Sequence, residues 1–170
     1  MISTKSNFKT ASEAFDYFYI KIKDKGVDFD NTKALFNVGF YIHNPSDKQI
    51  KAGYRKWNQK YAAAEWAWYL SGNRNISKLG ELYGKVPEIW KRMADANGNV
   101  NSNYGWQWNR ENQLGKVSVY MRSNDLWYGF CNDQYQFASL QEMVADRLSI
   151  PTGWYYHHAH NLHLYNDKLK

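Results

Sequence analysis

Residues 121–137, "MRSNDLWYGFCNDQYQF", gather an arginine, two aspartates and the chain's only cysteine. Arg122 is followed by Ser123, Asn124 and Asp125. A guanidinium beside a hydroxyl can hold a phosphate by charge and by bidentate hydrogen bonds. The same residues would serve equally well as a surface ion pair between Arg122 and Asp125, and the pattern does not separate the two. Cys131 would act as a nucleophile only as a thiolate, and nothing adjacent to it clearly lowers its pKa.

Two further groups have suitable chemistry. Glu65 lies among alanines and tryptophans in "AAAEWAWYL". Burial there would disfavour the ionised carboxylate and suit proton transfer near neutral pH. The alternative is a glutamate on the exposed face of an amphipathic helix. "HHAHNLH" holds His157, His158, His160 and His163. On a strand, His158 and His160 share a face. No acid or thiolate lies nearby in sequence and the spacing fits no zinc motif, so no metal site is expected.

The elements that must position these residues follow from local pattern. "TASEAFDYFYIKIKDKG" opens with a capping box from Thr10 to Glu13 and closes on Gly26. Ala11, Ala14, Phe15, Phe18 and Ile22 recur at helical spacing. "ALFNVGFYIH" alternates, which predicts a strand with Phe36, Val38, Phe40 and Ile42 on one face. Helices are expected over "NQKYAAAEWAWYLSGN", "PEIWKRMADANG" and "QFASLQEMVADRL", the last burying Phe137, Leu140, Val144 and Leu148. "KVSVYMR" reads as a strand with Ser118, Tyr120 and Arg122 on one side, and "GWYYHHAHNLHLY" as a final strand. The mixture is α+β.

A chain of 170 residues is long enough for one domain with a substantial core. At 44% hydrophobic and 18% aromatic residues it is too rich in core formers to be disordered. No apolar run approaches membrane length and the N-terminus lacks a signal core, so a cytoplasmic protein is expected, without membrane contact. A single cysteine excludes an internal disulfide and a multi-thiolate zinc site. The net charge of +6 admits an anionic partner, but the basic residues are scattered rather than gathered in one stripe. Nucleic acid is therefore a weaker expectation than a small phosphorylated ligand.

"AEWAWYLSGNRNISKL", "PEIWKRMADANGNVNSNYGWQW", "MRSNDLWYGFCND" and "LHLYND" occur here in an order that resembles the thymidylate synthase superfamily. "NSNYGW" and the "MRSND" stretch are most similar to its phage-type branch, the deoxycytidylate (dCMP) hydroxymethylases. The resemblance implies folate-dependent C5 transfer onto a pyrimidine deoxynucleoside monophosphate, dCMP or dUMP. The one-carbon donor would be 5,10-methylenetetrahydrofolate. It also implies a homodimer built on a curved mixed sheet, and for a phage-encoded protein the host cytoplasm. By the same resemblance Glu65 and Tyr104 are the catalytic positions: Glu65 organises water and proton transfers, and Tyr104 stands beside the nucleotide. Arg122 and Ser123 match phosphate ligands, His163 and Tyr165 the pair on the sugar 3′-hydroxyl. Trp90, Asp125 and Gly129 match positions bordering the folate. Asp133 stands where enzymes acting on dUMP carry asparagine. A carboxyl group there accepts from the cytosine amine and, when protonated, donates to N3. A one-residue shift would instead put Asn132 in the slot and return the preference to uracil.

The resemblance breaks at "ENQLGKVSV". Between Leu114 and Gly115 the family carries its Pro-Cys nucleophile and the arginines that reach the partner subunit's phosphate; a closing segment is also expected after "HLYND". Cys131 matches a proline position, not the nucleophile. Two expectations therefore stand: a shortened, inactive nucleotide-binding homologue, or an active enzyme with a stretch outside this sequence. A single-stranded nucleic-acid binding module would explain the charge but not the ordered motifs.

Overall fold

The computed structural model describes residues 4–100, 107–109 and 115–169. In chain order the elements are β1 (Asn7–Phe8), α1 (Ala11–Lys25), β2 (Val27–Phe29), β3 (Thr32–Ile42), α2 (Gln59–Leu70), α3 (Ile76–Tyr83), α4 (Glu88–Met93), β4 (Gln107–Asn109), β5 (Lys116–Asp125), a π turn (Leu126–Phe130), α5 (Cys131–Leu148) and β6 (Tyr155–Tyr165). They divide into two compact units, Met1–Trp57 with Trp106–Lys170, and Asn58–Gly105. Among the described residues no helix is long and apolar enough to cross a membrane.

The larger unit is built on one mixed sheet of order β1-β3-β6-β5-β4, with β2 added to β3. β5 and β6 run parallel, β3 and β6 antiparallel. The expected α+β class and mixed sheet with flanking helices are therefore what the chain adopts. Helix α1 covers the sheet as its sequence demands. Thr10 accepts from the Glu13 N–H, and Glu13 accepts from the Lys9 N–H, one residue earlier than the usual reciprocal box. Ala11, Ala14, Phe15, Phe18 and Ile22 all enter the core beside Phe40, Val119 and Leu162. Gly26 ends the helix with ordinary negative φ. It is required for closeness instead, since a Cβ would lie 2.4 Å from the Ile22 carbonyl oxygen.

Two burial expectations fail. In β3, Val38, Phe40 and Ile42 are buried, but Phe36 is 43% exposed and Leu35 takes the core. Asn37 adopts φ 55°, which breaks the alternation, and its Oδ1 meets His160 Nδ1 at 2.9 Å. Asn37, His160 and Arg122 form one row across β3, β6 and β5 where ladder pairing lapses without a change of register. Burial steps from Ala159 to Leu162 across that row, so the strand ends beyond it turn a new set of residues toward the core.

The second correction concerns α5. Its buried face is Gln134, Ala138, Gln141 and Ala145, while Leu148 is 40% exposed and Phe137, Leu140 and Val144 are only half-buried. The helix packs over backbone carbonyls, which demand donors rather than apolar side chains. Gln141 donates to Gly115, Gly153 and Trp154 carbonyls at 2.7–3.1 Å. Gln134 donates to the carbonyls of Lys48 and Cys131.

The smaller unit carries α2, α3 and α4 around Ala64, Trp68, Leu79, Trp90 and Val100. Asn58 caps α2 and Asn75 caps α3, each accepting a backbone N–H. Gly98 supplies the positive φ of the turn expected at Asn97-Gly98.

Candidate functional site

The end of β5 carries three of the residues singled out in sequence, Arg122, Ser123 and Asp125. Arg122 is exposed on the row of interrupted pairing, and Tyr120, two residues before it and paired with His158, is also exposed. Beyond it Ser123 pairs with Asn161 and Asp125 with His163 on β6. His163 and Tyr165 then share one side of β6, ring to ring at 5.4 Å. Register alone thus brings Ser123, Asp125, His163 and Tyr165 to one end of the sheet.

Asp125 also starts the π turn. Its two carboxylate oxygens accept from the N–H groups of Trp127 and Tyr128 at 2.9 and 3.2 Å. Burial pushes the Asp125 carboxyl above its usual range, and those two N–H groups, with His163 and Arg55 nearby, oppose the shift. Arg55 donates to the Trp127 carbonyl at 2.6 Å and lies over the Trp127 and Tyr128 rings.

The π turn delivers the chain into α5, whose first turn holds Asp133. Asp133 Oδ2 accepts from Asn124 Nδ2 at 2.7 Å. Asn124 Oδ1 meets His157 Nε2 at 3.1 Å, and His157 Nδ1 meets the Tyr155 hydroxyl at 2.9 Å. Asn124, His157 and Tyr155 are all buried, 3% exposed or less, with His157 between the rings of Phe40 and Phe130. Burial holds the imidazole down at about 3 and pushes the Tyr155 phenol well up. Gly129 sits against the Asn124–Asp133 contact, where a Cβ would come 2.9 Å from Asn124 Nδ2 and 3.2 Å from Asp133 Oδ2.

The rival for the slot, Asn132, is engaged at both ends of its amide. It accepts from Trp57 Nε1 at 3.0 Å and donates to the Tyr128 carbonyl at 2.9 Å. Cys131 is fully buried, its Sγ 3.5 Å from the Leu126 carbonyl oxygen, and burial pushes its thiol up to about 12.

Glu65 belongs to the smaller unit and is buried, 4% exposed, not on an outer helix face. Tyr61, one turn earlier on α2, donates its hydroxyl to Glu65 Oε1. Trp90 donates its indole N–H to the same oxygen at 2.8 Å and lies 2.9 Å from the Tyr61 hydroxyl oxygen. Trp90 is also packed edge-on against Trp68. Tyr104, and the junction at Leu114, lie outside the described residues.

Sequence reasoning missed Asn124, His157, Tyr155 and the engagement of Asn132. The available signal was the alternation of β6, which separates His157 from His158 and His160 and sends it to the core. Among the described residues no three histidine, cysteine or acidic side chains gather as metal ligands.

Residues 111–170 match the thymidylate synthase family. Over 94 residues the chain is 36% identical to the deoxycytidylate 5-hydroxymethyltransferases of Enterobacteria phages T4 and T2, a stretch covering 55% of this chain and 35% of each relative. The chain thus spans little more than a third of the length of those relatives. Its fold is similar to the thermostable thymidylate synthase A from Bacillus subtilis, with a TM-score of 0.70 over 92% of this chain and 80% of that one at 17% identity. The ordered motifs and the match over residues 111–170 point to the same family, and the chain is similar to members of the thymidylate synthase superfamily, whose fold it shares.

Proposed function

We propose that the chain recognises a pyrimidine deoxynucleoside monophosphate, dCMP in preference to dUMP, as part of a folate-dependent hydroxymethylase acting on C5. The observation that carries this reading is the state of positions 132 and 133. Asn132 has both ends of its amide engaged inside the protein, whereas Asp133 stands in the first turn of α5 with its Oδ2 accepting from Asn124. In this reading the Asp133 carboxyl group accepts a hydrogen bond from the cytosine amine. Arg122 and Ser123 are assigned to the phosphate, His163 and Tyr165 to the sugar hydroxyl, and Glu65 and Tyr104 to proton transfers.

Methylenetetrahydrofolate would supply the one-carbon unit. Trp90, Asp125 and Gly129 are the residues assigned to it, and Trp90 and Asp125 also hold hydrogen bonds within the protein. No step is assigned through it. The homodimer belongs to the same reading and is supported by the sheet's outer aromatic residues, with Tyr120 60% and Phe36 43% exposed.

The reaction needs a thiolate to add at pyrimidine C6, which gives C5 carbanion character. Cys131 does not provide it, because its buried thiol stays protonated at neutral pH. That observation favours a second reading, a nucleotide-binding homologue without turnover, unless a segment outside this sequence brings the nucleophile.

Calorimetric titration with dCMP, dUMP and a short oligonucleotide tests the proposal. Saturable binding is expected for dCMP and weaker binding for dUMP. Oligonucleotide binding that falls steeply with salt, with neither mononucleotide bound, would make the protein a single-strand binder instead. Exchange of the C5 proton of dCMP with solvent separates the two readings, and this sequence alone is expected to show none.

A further inference from the structure

Arg122 could serve a phosphate or pair with Asp125, and the structure removes the second possibility. Both Asp125 oxygens accept backbone N–H groups of the π turn, and among the described residues Arg122 faces no carboxylate at ion-pair distance. The guanidinium stands exposed on β5. Its neighbour on β6 is His160, because Met121 pairs with Ala159 and Ser123 with Asn161 on either side. Adjacent strands lie about 5 Å apart, so these two exposed side chains leave the sheet side by side.

His160 is exposed, yet its ring is held. Asn37, on the same row of β3, adopts a left-handed φ of 55°, a conformation sparse for residues other than glycine and tolerated best by asparagine. There its Oδ1 lies 2.9 Å from His160 Nδ1, and the Phe36 ring stands edge-on to the imidazole at 6.4 Å. An amide oxygen only accepts, so Nδ1 carries a proton, and Nε2 is directed away from Asn37. The neutral ring therefore shows a lone pair at Nε2, and only the imidazolium shows a second N–H. The groups around the ring are Asn37 and Phe36 on β3, His158 on its own strand, and Tyr120 and Arg122 on β5, none of them acidic.

We propose that His160 is a second ligand for the nucleotide phosphate beside Arg122, and that it takes up a proton when the phosphate binds. This deepens the reading above and rests on its assignment of Arg122 to the phosphate. A dianionic phosphate set between the two side chains accepts from the guanidinium on one side and from Nε2–H on the other. The proton comes from solvent, and Nδ1–H stays on Asn37 throughout. At pH 8 a free histidine side chain is mostly neutral, and a phosphate monoester, with its second pKa at about 6, is already a dianion. Binding there draws in a fraction of a proton that neither partner carried before.

The test is calorimetric titration of the full chain with dCMP and with deoxycytidine, which lacks the phosphate, at pH 8 in buffers of different ionisation enthalpy. Wild type is expected to take up more proton with dCMP than with deoxycytidine, and equal uptake overturns the proposal. H160Q keeps a polar group against Asn37 but cannot charge. It is expected to lose the difference in uptake and to bind dCMP about three- to tenfold more weakly, the scale of one exposed charge-assisted contact. Its affinity for deoxycytidine should not change.

R122A is expected to weaken dCMP and leave deoxycytidine alone. If it does so while H160Q matches wild type in affinity and in proton uptake, His160 is not a ligand and the assignment of Arg122 survives. Weaker dCMP binding by H160Q with unchanged uptake also overturns the proposal, since a ring that merely supports the sheet would give that result. R122A indistinguishable from wild type, or a wild type that binds no nucleotide, overturns the assignment of Arg122 and the proposal together. Titration with dCMP should also shift the 15N resonance of His160 Nε2, and a resonance unmoved at saturation refutes the contact.

Discussion

Two carboxylates in this protein, the buried Glu65 and the half-buried Asp133, are held in opposite ways. Glu65 is one corner of a closed triangle: Tyr61 and Trp90 both reach its Oε1, and Trp90 also reaches Tyr61. Asp133 Oδ2 ends an open run of hydrogen bonds that starts at Tyr155 and passes through His157 and Asn124. A triangle retains one hydrogen bond when any corner is removed, and it has no sense of direction. An open chain breaks at any link but transmits a donor of defined polarity. The first arrangement suits a group that must stay in place, the second a group that must show one particular atom.

The largest effect is expected where a corner of the triangle is also core. Trp90 packs against Trp68 and fills the smaller unit's cluster. Trp90→Ala should cost about 3–5 kcal/mol, the range for buried tryptophan truncation, read by denaturant unfolding. Trp90→Phe should cost much less, because the Tyr61–Glu65 bond and most of the packing survive. Equal losses for the two would show that the hydrogen bonds, not the ring, hold the unit.

The open chain should declare itself in acid. His157 titrates at about 3 in the folded protein, against an ordinary value of about 6.5 when unfolded. Its folded pKa is depressed, so its contribution is complete above about 6.5 and is lost as pH falls toward 3. The slope is at most about 1.4 kcal/mol per pH unit, or about 2–3 kcal/mol by pH 4.5. The groups facing the ring are the Tyr155 hydroxyl, Asn124, Phe40 and Phe130, with the charge of His158 adding to the depression. Asp125 acts in the opposite sense, because its raised carboxyl keeps a proton to higher pH in the folded state. The readout is therefore the difference between wild type and His157→Phe, whose stability should fall less steeply between pH 6.5 and 4.5. Parallel slopes would mean that His157 charges freely in the folded protein.

This contrast also marks what could be read from sequence. Helix α1 and its N-cap were legible because Thr10 and the Glu13 N–H it accepts lie three residues apart. The triangle was half legible: Tyr61 stands one turn before Glu65, but Trp90 comes from another helix. Helix α5 misled because its buried face answers carbonyls at Gly115 and Gly153, remote in sequence, so glutamines took the places expected of leucine and valine. The open chain was not legible, since 33 residues separate Asn124 from His157 and the two are not even ladder partners, Asn124 pairing with Leu162 and His157 with Val119. Phe36 was misplaced for a local reason, the left-handed backbone at Asn37, which an alternating pattern cannot reveal.

A smaller effect separates conservative changes at the two carboxylates. Glu65→Gln keeps an acceptor beneath Trp90 and Tyr61 and should alter stability by no more than about 1 kcal/mol. Asp133→Asn should do the same to stability, yet turn nucleotide preference by about tenfold or more. In the proposed reading Asp133 meets the base and Glu65 does not, so only the change at Asp133 should alter ligand choice. A comparable turn in preference from Glu65→Gln would erase the distinction between the two arrangements.

The smallest effect is expected at Cys131, which lies between the two most informative positions without belonging to either arrangement. Its thiol, pushed up to about 12, is about one part in ten thousand thiolate at pH 8. A disulfide reagent such as DTNB should therefore leave the native protein unmodified on the timescale in which it labels free cysteine, and react fully once denaturant is added. Cys131→Ala should cost about 1 kcal/mol of stability, as removal of a small buried group does, and leave dCMP affinity within about twofold. Asn124 and Asp133 reach each other through their side-chain ends, and the thiol is turned away toward the Leu126 carbonyl. Rapid native labelling together with loss of dCMP binding would place the sulfur at the ligand and reopen a chemical role for the one cysteine the chain possesses.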